Sequence, residues 1–105
     1  MTAGLACVAW GISPPYADAA AALTAGLVAH ARRVLVGPRL VMTLALDGAE
    51  LVVMVLAPRG RCVGVLDPRT HPAVARIADD ADHYRVPAGP VVWASAGVPV
   101  EALAA

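Results

Sequence analysis

Residues 39–56 read Arg-Leu-Val-Met-Thr-Leu-Ala-Leu-Asp-Gly-Ala-Glu-Leu-Val-Val-Met-Val-Leu. Two mostly apolar runs, Arg39 to Leu46 and Glu50 to Leu56, flank the dipeptide Asp47-Gly48. An Asp-Gly pair between such runs is a strong hairpin signal, because glycine readily adopts the positive φ that a tight turn requires. The segment therefore predicts two antiparallel strands, and the other elements are predicted around them.

The chain after this hairpin predicts a further strand, a helix and a closing strand. Pro and Gly mark the turns between them, and residues 97–105 read as a loose tail. In chain order we predict a turn at Pro58-Arg59-Gly60-Arg61, a strand from Cys62 to Leu66, a helix from Pro72 to Asp82 with the apolar stripe Val74, Ile77, Ala78 and Ala81, a turn at Pro87-Ala88-Gly89-Pro90, and a strand from Val91 to Ser95.

The chain before the hairpin predicts one long helix. Ser13-Pro14-Pro15 is a start signal, with Ser as the N-cap and Pro at the first helical position, and Gly37-Pro38 is a stop signal. Residues 1–12 form a short apolar lead-in, read as the end of a helix or, alternatively, as a strand. The long helix is predicted from Tyr16 to Val34, with one apolar stripe formed by Tyr16, Ala20, Leu23, Leu27, His30 and Val34.

These elements predict one α+β domain over residues 1–105. Helices and antiparallel strands in this order suit a two-layer sandwich, in which two main helices pack on a mainly antiparallel sheet of about four strands. A chain of 105 residues is a common size for a single domain.

The composition predicts a folded chain with an apolar surface. Hydrophobic residues make up 59 % of the chain and charged residues 15 %, well below the average of about 25 % charged residues. So few charges leave part of the surface apolar, and such patches usually bind a partner. We therefore expect a protein partner, with a homodimer as the default.

The charge balance excludes some partners. Eight basic residues, all of them Arg, balance eight acidic ones. Binding to nucleic acid or to an anionic membrane requires a basic footprint, so neither is expected. The chain has no long uncharged apolar run and no basic N-terminal signal pattern, which predicts a cytoplasmic protein. Arg without Lys and abundant Ala are typical of a high-GC, actinobacterial-like genome.

Four stretches resemble the anti-sigma-factor serine-kinase branch of the GHKL (Bergerat-fold) ATPases. They cover most of the chain in the family's order. The matching stretches are Trp10-Gly-Ile-Ser-Pro-Pro15 for the family's Trp-Gly-Leu-Pro linker, Leu23 to Ala31 for Leu-Val-Thr-Asn-Ala-Val-Arg-His-Ala, Leu40 to Leu56 for the hairpin, and Ile77 to Val86 with Val91-Val-Trp-Ala94 for the closing helix and strand. The resemblance implies a truncated Bergerat-like fold that lacks an N-terminal edge strand.

The residues that bind and use ATP in that family have no counterparts here. The general-base acid and the Mg²⁺-binding Asn match Ala22 and Gly26, and the adenine-binding Asp falls at about Ala57. Arg69-Thr70-His71-Pro72 stands where the glycine-rich lid would be. Losing three hydrogen bonds to charged groups costs roughly 4–9 kcal/mol, or about three to six decades of affinity. We therefore expect no ATP binding, no cofactor and no kinase activity.

The remaining His and Cys residues predict no metal site, because their spacing matches no zinc pattern. We interpret Cys7 and Cys62 as buried small residues and His30 as a core or pocket-edge histidine. If the vacated nucleotide cleft has been reused, its polar groups are expected to be His30, Tyr16, Thr24 and Cys62.

The other polar candidates have ordinary structural interpretations. We interpret the acidic cluster at Asp79, Asp80 and Asp82, beside His83, as a solvated helix end, and Trp10 and Trp93 as core or interface anchors. The arginines at 32 and 33 cap a helix, and those at 59 and 61 occupy a turn.

Three functions remain open from the sequence. The first is a non-catalytic regulatory or scaffold protein that binds another protein. The second is an apolar small-molecule binding or catalytic site in the vacated cleft, as in a biosynthetic pathway. The third is a structural partner that completes the sheet of another subunit.

Overall fold

The computed structural model describes residues 14–97 as two helices, a 3₁₀ turn and six strands. We number them along the chain: α1 Pro14–Val34, β1 Leu35–Val36, β2 Val41–Asp47, β3 Glu50–Leu56, β4 Arg61–Cys62, the 3₁₀ turn Pro68–Thr70, α2 Pro72–Ile77, β5 Asp80–Val86 and β6 Gly89–Gly97. The lead-in, the N-cap Ser13 and most of the tail lie outside the described residues.

The main sheet has four antiparallel strands in the order β2-β3-β6-β5. It consists of two hairpins, β2–β3 and β5–β6, that join through their inner strands. The register between them pairs Val53 with Ala94 and Val55 with Val92. Strands β3 and β6 are therefore central, and β2 and β5 are the edges.

The helices pack on one face of this sheet, which confirms the predicted α+β class and its two layers. In α1, Leu23 and Leu27 are completely buried, as the predicted stripe requires, and Ala31, which the stripe did not include, is buried with them. They contact alternate residues of the central strands, including Val53 and Val92. Tyr16, at the start of the stripe, is the exception and is exposed.

The predicted strand from Cys62 to Leu66 is wrong in length and in position. Only Arg61–Cys62 is a strand, and it pairs with β1 in a separate two-stranded sheet. Gly64 has a φ of 72°, which interrupts extended backbone, and Val65 is 66 % exposed. The strand therefore ends at Cys62, and the chain continues without pairing to a sheet.

The predicted helix from Pro72 to Asp82 is also too long. It ends at Ile77, and residues 80–86 form β5. Asp is a poor helix former, and Tyr84 and Val86 favour strands. The Asp79 N–H donates to the Ser95 carbonyl at 2.8 Å, which starts the pairing with β6. The strand gains a full ladder of hydrogen bonds, whereas more helix would have left β6 an unpaired edge.

The first helix, the β2–β3 hairpin and the last strand are confirmed within a few residues at each end. No helix in residues 14–97 is both long and apolar enough to cross a lipid bilayer.

Candidate functional site

The face of the sheet that points away from the helices is not covered by another layer within residues 14–97. We call it the outer face. Strand alternation and the register place on it residues from all four strands. They are Val41, Thr43, Ala45 and Asp47; Glu50, Val52, Met54 and Leu56; Val91, Trp93, Ser95 and Gly97; and Asp80, Asp82, Tyr84 and Val86.

The two central strands are apolar in the middle of the outer face, between Thr43 on β2 and Asp82 on β5. Met54 and Trp93 are paired neighbours on the two central strands, and both are half-buried. The Tyr84 hydroxyl lies 3.5 Å from the Met54 sulfur, so the tyrosine ring leans over this centre. Tyr84 is 44 % exposed and Val41 is 37 % exposed. An apolar surface of this kind on a four-stranded sheet is typical of an interaction site.

Most charged residues of the sheet lie near the two ends of the strands, and Asp82 is the exception, opposite Trp93 within β5. Asp47, Glu50, Asp79 and Asp80 lie together at what we call the acidic end. Arg39, Arg59 and Arg85 lie at the opposite, basic end, where the Arg59 N–H donates to the Ala88 carbonyl in the β5–β6 turn at 2.7 Å. Strand alternation directs Arg85 to the side of the helices and not to the outer face. All seven residues are exposed, and within residues 14–97 none of them forms an ion pair.

The acidic end forms a depression of about 520 Å³, whose wall also contains Trp93 and Ser95. Asp47 and Glu50 are directly opposite each other in the β2–β3 register. Like charges in that position destabilise a strand pair. The predicted helix end at Asp79, Asp80 and Asp82 is wrong, because the helix ends at Ile77. The three residues are exposed, but Asp79 precedes β5 and the other two lie within it.

The positions that match the lost ATP-binding residues lie in packed surroundings. Ala57 is completely buried, and Ala22 is half-buried. Gly26 faces α2 so closely that a Cβ atom added there would lie 3.0 Å from the Ala73 Cβ and 3.1 Å from the His71 Nδ1. Helix α2 thus packs directly on α1 at the place where the resemblance implies a metal-binding side chain.

The four polar residues expected in a reused cleft do not surround one cavity. His30 is 4 % exposed, and its Nε2 lies 3.0 Å from the Leu66 carbonyl oxygen. The Thr24 hydroxyl donates to the Ala20 carbonyl of its own helix at 2.8 Å. Tyr16 lies beside a separate small cavity of about 190 Å³. Cys62 is exposed on β4, so the expectation that it is buried is wrong.

His30 does line one cavity, of about 380 Å³, between α1 and the segment before α2. Arg33, Thr70 and His71 are also in its wall. The His71 Nδ1 accepts a hydrogen bond from the Ala73 N–H at 3.2 Å, which fixes the orientation of the ring. The prediction that His30 is a core or pocket-edge residue is therefore confirmed.

The 3₁₀ turn that carries Thr70 into this wall is held by Asp67. The Asp67 carboxylate accepts a hydrogen bond from the Arg69 backbone N–H at 3.0 Å, and this bond holds the pKa of Asp67 below its usual value. The Arg69 side chain lies 3.2 Å from the same oxygen atom.

Cys7 and Trp10 lie outside the described residues. Trp93 lies on the outer face, in keeping with its interpretation as an interface anchor. Within residues 14–97 no group of three or more His, Cys, Asp or Glu side chains has the geometry to hold a metal ion.

These features define a two-layer α+β protein with one covered and one uncovered sheet face. Comparisons of the chain with protein-family models, with curated proteins and with solved structures found no match. Within residues 14–97, the outer face and the cavity beside His30 are the two candidate sites.

Proposed function

We propose that the protein is a non-catalytic regulatory or scaffold protein of the cytoplasm, and that it acts by binding protein chains through the outer face. The observation that carries the proposal is the uncovered apolar centre around Met54 and Trp93. Trp and Met are enriched in the cores of protein interfaces. A central strand that is apolar on both sides gains the full free energy of hydrophobic burial only when its second side is also covered.

The resemblance to the anti-sigma-factor serine kinases supports the same proposal. Proteins of that family capture sigma factors and their antagonists, and a degenerate member without ATP binding would keep a protein-binding surface. The close packing of α2 on Gly26 fits the loss of the nucleotide, because it leaves no room for a ligand at that point.

The test is a Met54→Lys substitution, which places a charge in the centre of the outer face. Because burying an unpaired ammonium group is costly, we expect any complex formed through this face to weaken at least tenfold. Val63→Lys is the matched control, since Val63 is exposed and apolar but lies outside the outer face. Association is measured as the mass in light scattering and as the amount of partner captured by the immobilised protein.

The proposal predicts that Val63→Lys behaves as the parent chain and that Met54→Lys loses its partners, while both keep the circular dichroism spectrum of the parent. It is wrong if the parent chain associates with nothing, or if Met54→Lys binds every partner as well as Val63→Lys does.

A second candidate function is small-molecule binding at the cavity beside His30. Its volume of about 380 Å³ lies in the range of ligand pockets, and its wall combines apolar residues, such as Val34 and Val65, with the polar side chains of His30, Arg33, Thr70 and His71. Of the residues expected in a reused cleft only His30 is present there, so this site differs from the one that the resemblance implies.

Calorimetric titration with Mg-ATP, and then with octanoate as an apolar probe with one charged group, tests the second candidate. We expect no heat from the nucleotide, since its family contacts are missing. Octanoate heat that disappears in Arg33→Ala but remains in Arg32→Ala would favour the cavity. Arg32 is the control because it is exposed in the same helix turn but does not line the cavity.

A further inference from the structure

We infer that the partner on the outer face is an amphipathic helix of another protein, with basic side chains along one flank. The inference rests on the proposed function, because it names the chemistry of the partner that binds the same surface. It is carried by the sign and the placement of the charges on the outer face, and by the kinds of group that a sheet face presents to a partner.

Every charged side chain that the four strands place on the outer face is acidic. The four residues are Asp47 at the end of β2, Glu50 at the start of β3, and Asp80 and Asp82 on β5. All four are exposed. Within residues 14–97 none of them is paired with an Arg, and the one ion-pair contact joins Asp82 to the His83 Nε2 at 4.0 Å. The negative charge of this face is therefore left for a cationic partner to offset.

Two of the carboxylates lie along one side of the apolar centre. Asp80 and Asp82 on β5 are paired with Ser95 and Trp93 of the central strand β6. On the opposite side, the outward residues of β2 that precede Asp47 carry no charge. The charge is therefore lateral, and a partner over the centre meets it along one flank and at one end.

The outer face presents side chains but no free backbone groups at its centre. The N–H and C=O groups of β3 and β6 take part in ladders with the strands on both sides. A segment that lies over them must therefore satisfy its own backbone groups. A single α-helix does so within itself, whereas a single strand does not. The helix α1 covers the inner face of the same sheet in this way.

The dimensions of the outer face fit one helix. Strands of seven residues are about 24 Å long, which is the length of a helix of about sixteen residues. Asp80 and Asp82 are two positions apart on a strand, which is about 7 Å. Residues four positions apart on a helix are about 6 Å apart along its axis. Two basic residues at this spacing on the flank of the helix can therefore reach both carboxylates.

The charges supply selectivity more than affinity. An exposed ion pair changes an affinity by about fivefold at most, so two pairs should change it by roughly tenfold. A helix with acidic residues at the same positions is repelled instead, which widens the difference. The apolar centre supplies the rest of the binding, in keeping with an interface that has an apolar core and a charged rim.

The experiment uses two synthetic helical peptides as probes, titrated into the full chain in a calorimeter. Each has about sixteen residues with Leu on one face. The lysine peptide has Lys at two flanking positions four residues apart, and the glutamate peptide differs only in having Glu there. We expect the lysine peptide to bind at least tenfold more tightly, and its advantage to decrease as salt is added. The chain has a net charge of +0, so this preference would report local charge and not the net charge of the protein.

Replacing both Asp80 and Asp82 with Asn removes two charges but keeps the oxygen atoms that accept from the Ala81 and His83 N–H groups. We expect this double variant to bind the lysine peptide about tenfold more weakly than the parent does. Asp18→Asn is the matched control, because Asp18 is exposed on α1 in the other layer. Replacing both Asp80 and Asp82 with Lys should reverse the preference, so that the glutamate peptide binds more tightly.

A preference that is lost in the Asn double variant and kept in Asp18→Asn supports the inference. A parent chain that binds both peptides equally, or neither of them, overturns it. An Asn double variant that keeps the full preference and the circular dichroism spectrum of the parent also overturns it, because the carboxylates would then not be the contact.

The Met54→Lys variant separates a failure of this inference from a failure of the proposed function. If both peptides bind the parent equally and Met54→Lys abolishes the binding of both, the outer face is an interaction surface that does not select a charge. If neither peptide binds but Met54→Lys abolishes the capture of another protein, the outer face binds a partner of different chemistry. If Met54→Lys changes no association, both proposals fail.

Discussion

Replacing Gly89 with Ala is expected to lower the free energy of unfolding by roughly 2–4 kcal/mol, because the new methyl group has no room. Gly89 begins β6 with a φ of 155°, and its α-carbon lies against the turn that follows β3. A Cβ atom at this position would overlap the Ala57 carbonyl oxygen, which is backbone and cannot rotate away.

The overlap also affects the hydrogen bonds around it. The Ala57 N–H donates to the Pro90 carbonyl at 3.0 Å, and the neighbouring Arg59 N–H donates to the Ala88 carbonyl. Both bonds join the turn after β3 to the β5–β6 hairpin. A methyl group that pushes the two turns apart lengthens these bonds, so the loss of stability is larger than that of a single contact.

Gly48→Ala is the control, and chemical denaturation of both variants is the measurement. Gly48 also has a positive φ, of 61°, but a Cβ atom there would meet nothing within 4 Å. Its substitution should cost about 1 kcal/mol, from the backbone conformation alone. Equal losses in the two variants would show that the close approach at Gly89 is not a constraint.

Local signals in the sequence were sufficient for about half of the elements. The turn at Asp47-Gly48 and the Pro-rich start of α1 are each specified by residues that are neighbours in the sequence. Both elements could therefore be predicted correctly. The second helix was extended wrongly because Val74, Ile77 and Ala81 match a helical stripe. Ala81 is buried, but as a strand residue, and only its pairing with Ala94, thirteen residues later, makes the segment a strand.

The candidate site was less accessible to sequence reasoning than the fold. The run Leu51 to Leu56 is apolar at every position, so alternation did not indicate which side the helices would cover. The charged residues were read as turn and helix-end residues, one segment at a time. Asp47 and Asp79 are 32 positions apart, and only the strand order brings them to one end of the sheet.

The one visible clue was that β3 has no polar face although it lies in an antiparallel sheet. Antiparallel sheets commonly expose one face to water, and their strands then alternate apolar and polar residues. Val52, Met54 and Leu56 break that rule on the outer face, whereas Asp80 and Asp82 on the edge strand β5 keep it. A strand of this kind predicts a second covering layer, and the described residues contain only one.

Replacing Leu27 with Ala should destabilise the protein more than truncating a residue on the outer face does. Leu27 is completely buried between α1 and the inner face of the sheet, where it contacts the main cluster that includes Val53 and Val92. Removing its isobutyl end leaves a cavity enclosed by two layers, so we expect a loss of about 2–5 kcal/mol in the free energy of unfolding.

Met54→Ala is the matched control on the outer face. Met54 is half-buried on a central strand, but no second layer encloses it within residues 14–97. Its truncation forms no closed cavity, so the loss for the dilute monomer should be about 1 kcal/mol. The difference between the losses of the two variants should shrink as the concentration of the partner rises, because a partner on the outer face adds stability only when it is bound. Denaturation of both variants without and with the lysine peptide measures this. A Met54→Ala loss as large as that of Leu27→Ala in dilute solution would mean that the outer face is already packed within the single chain.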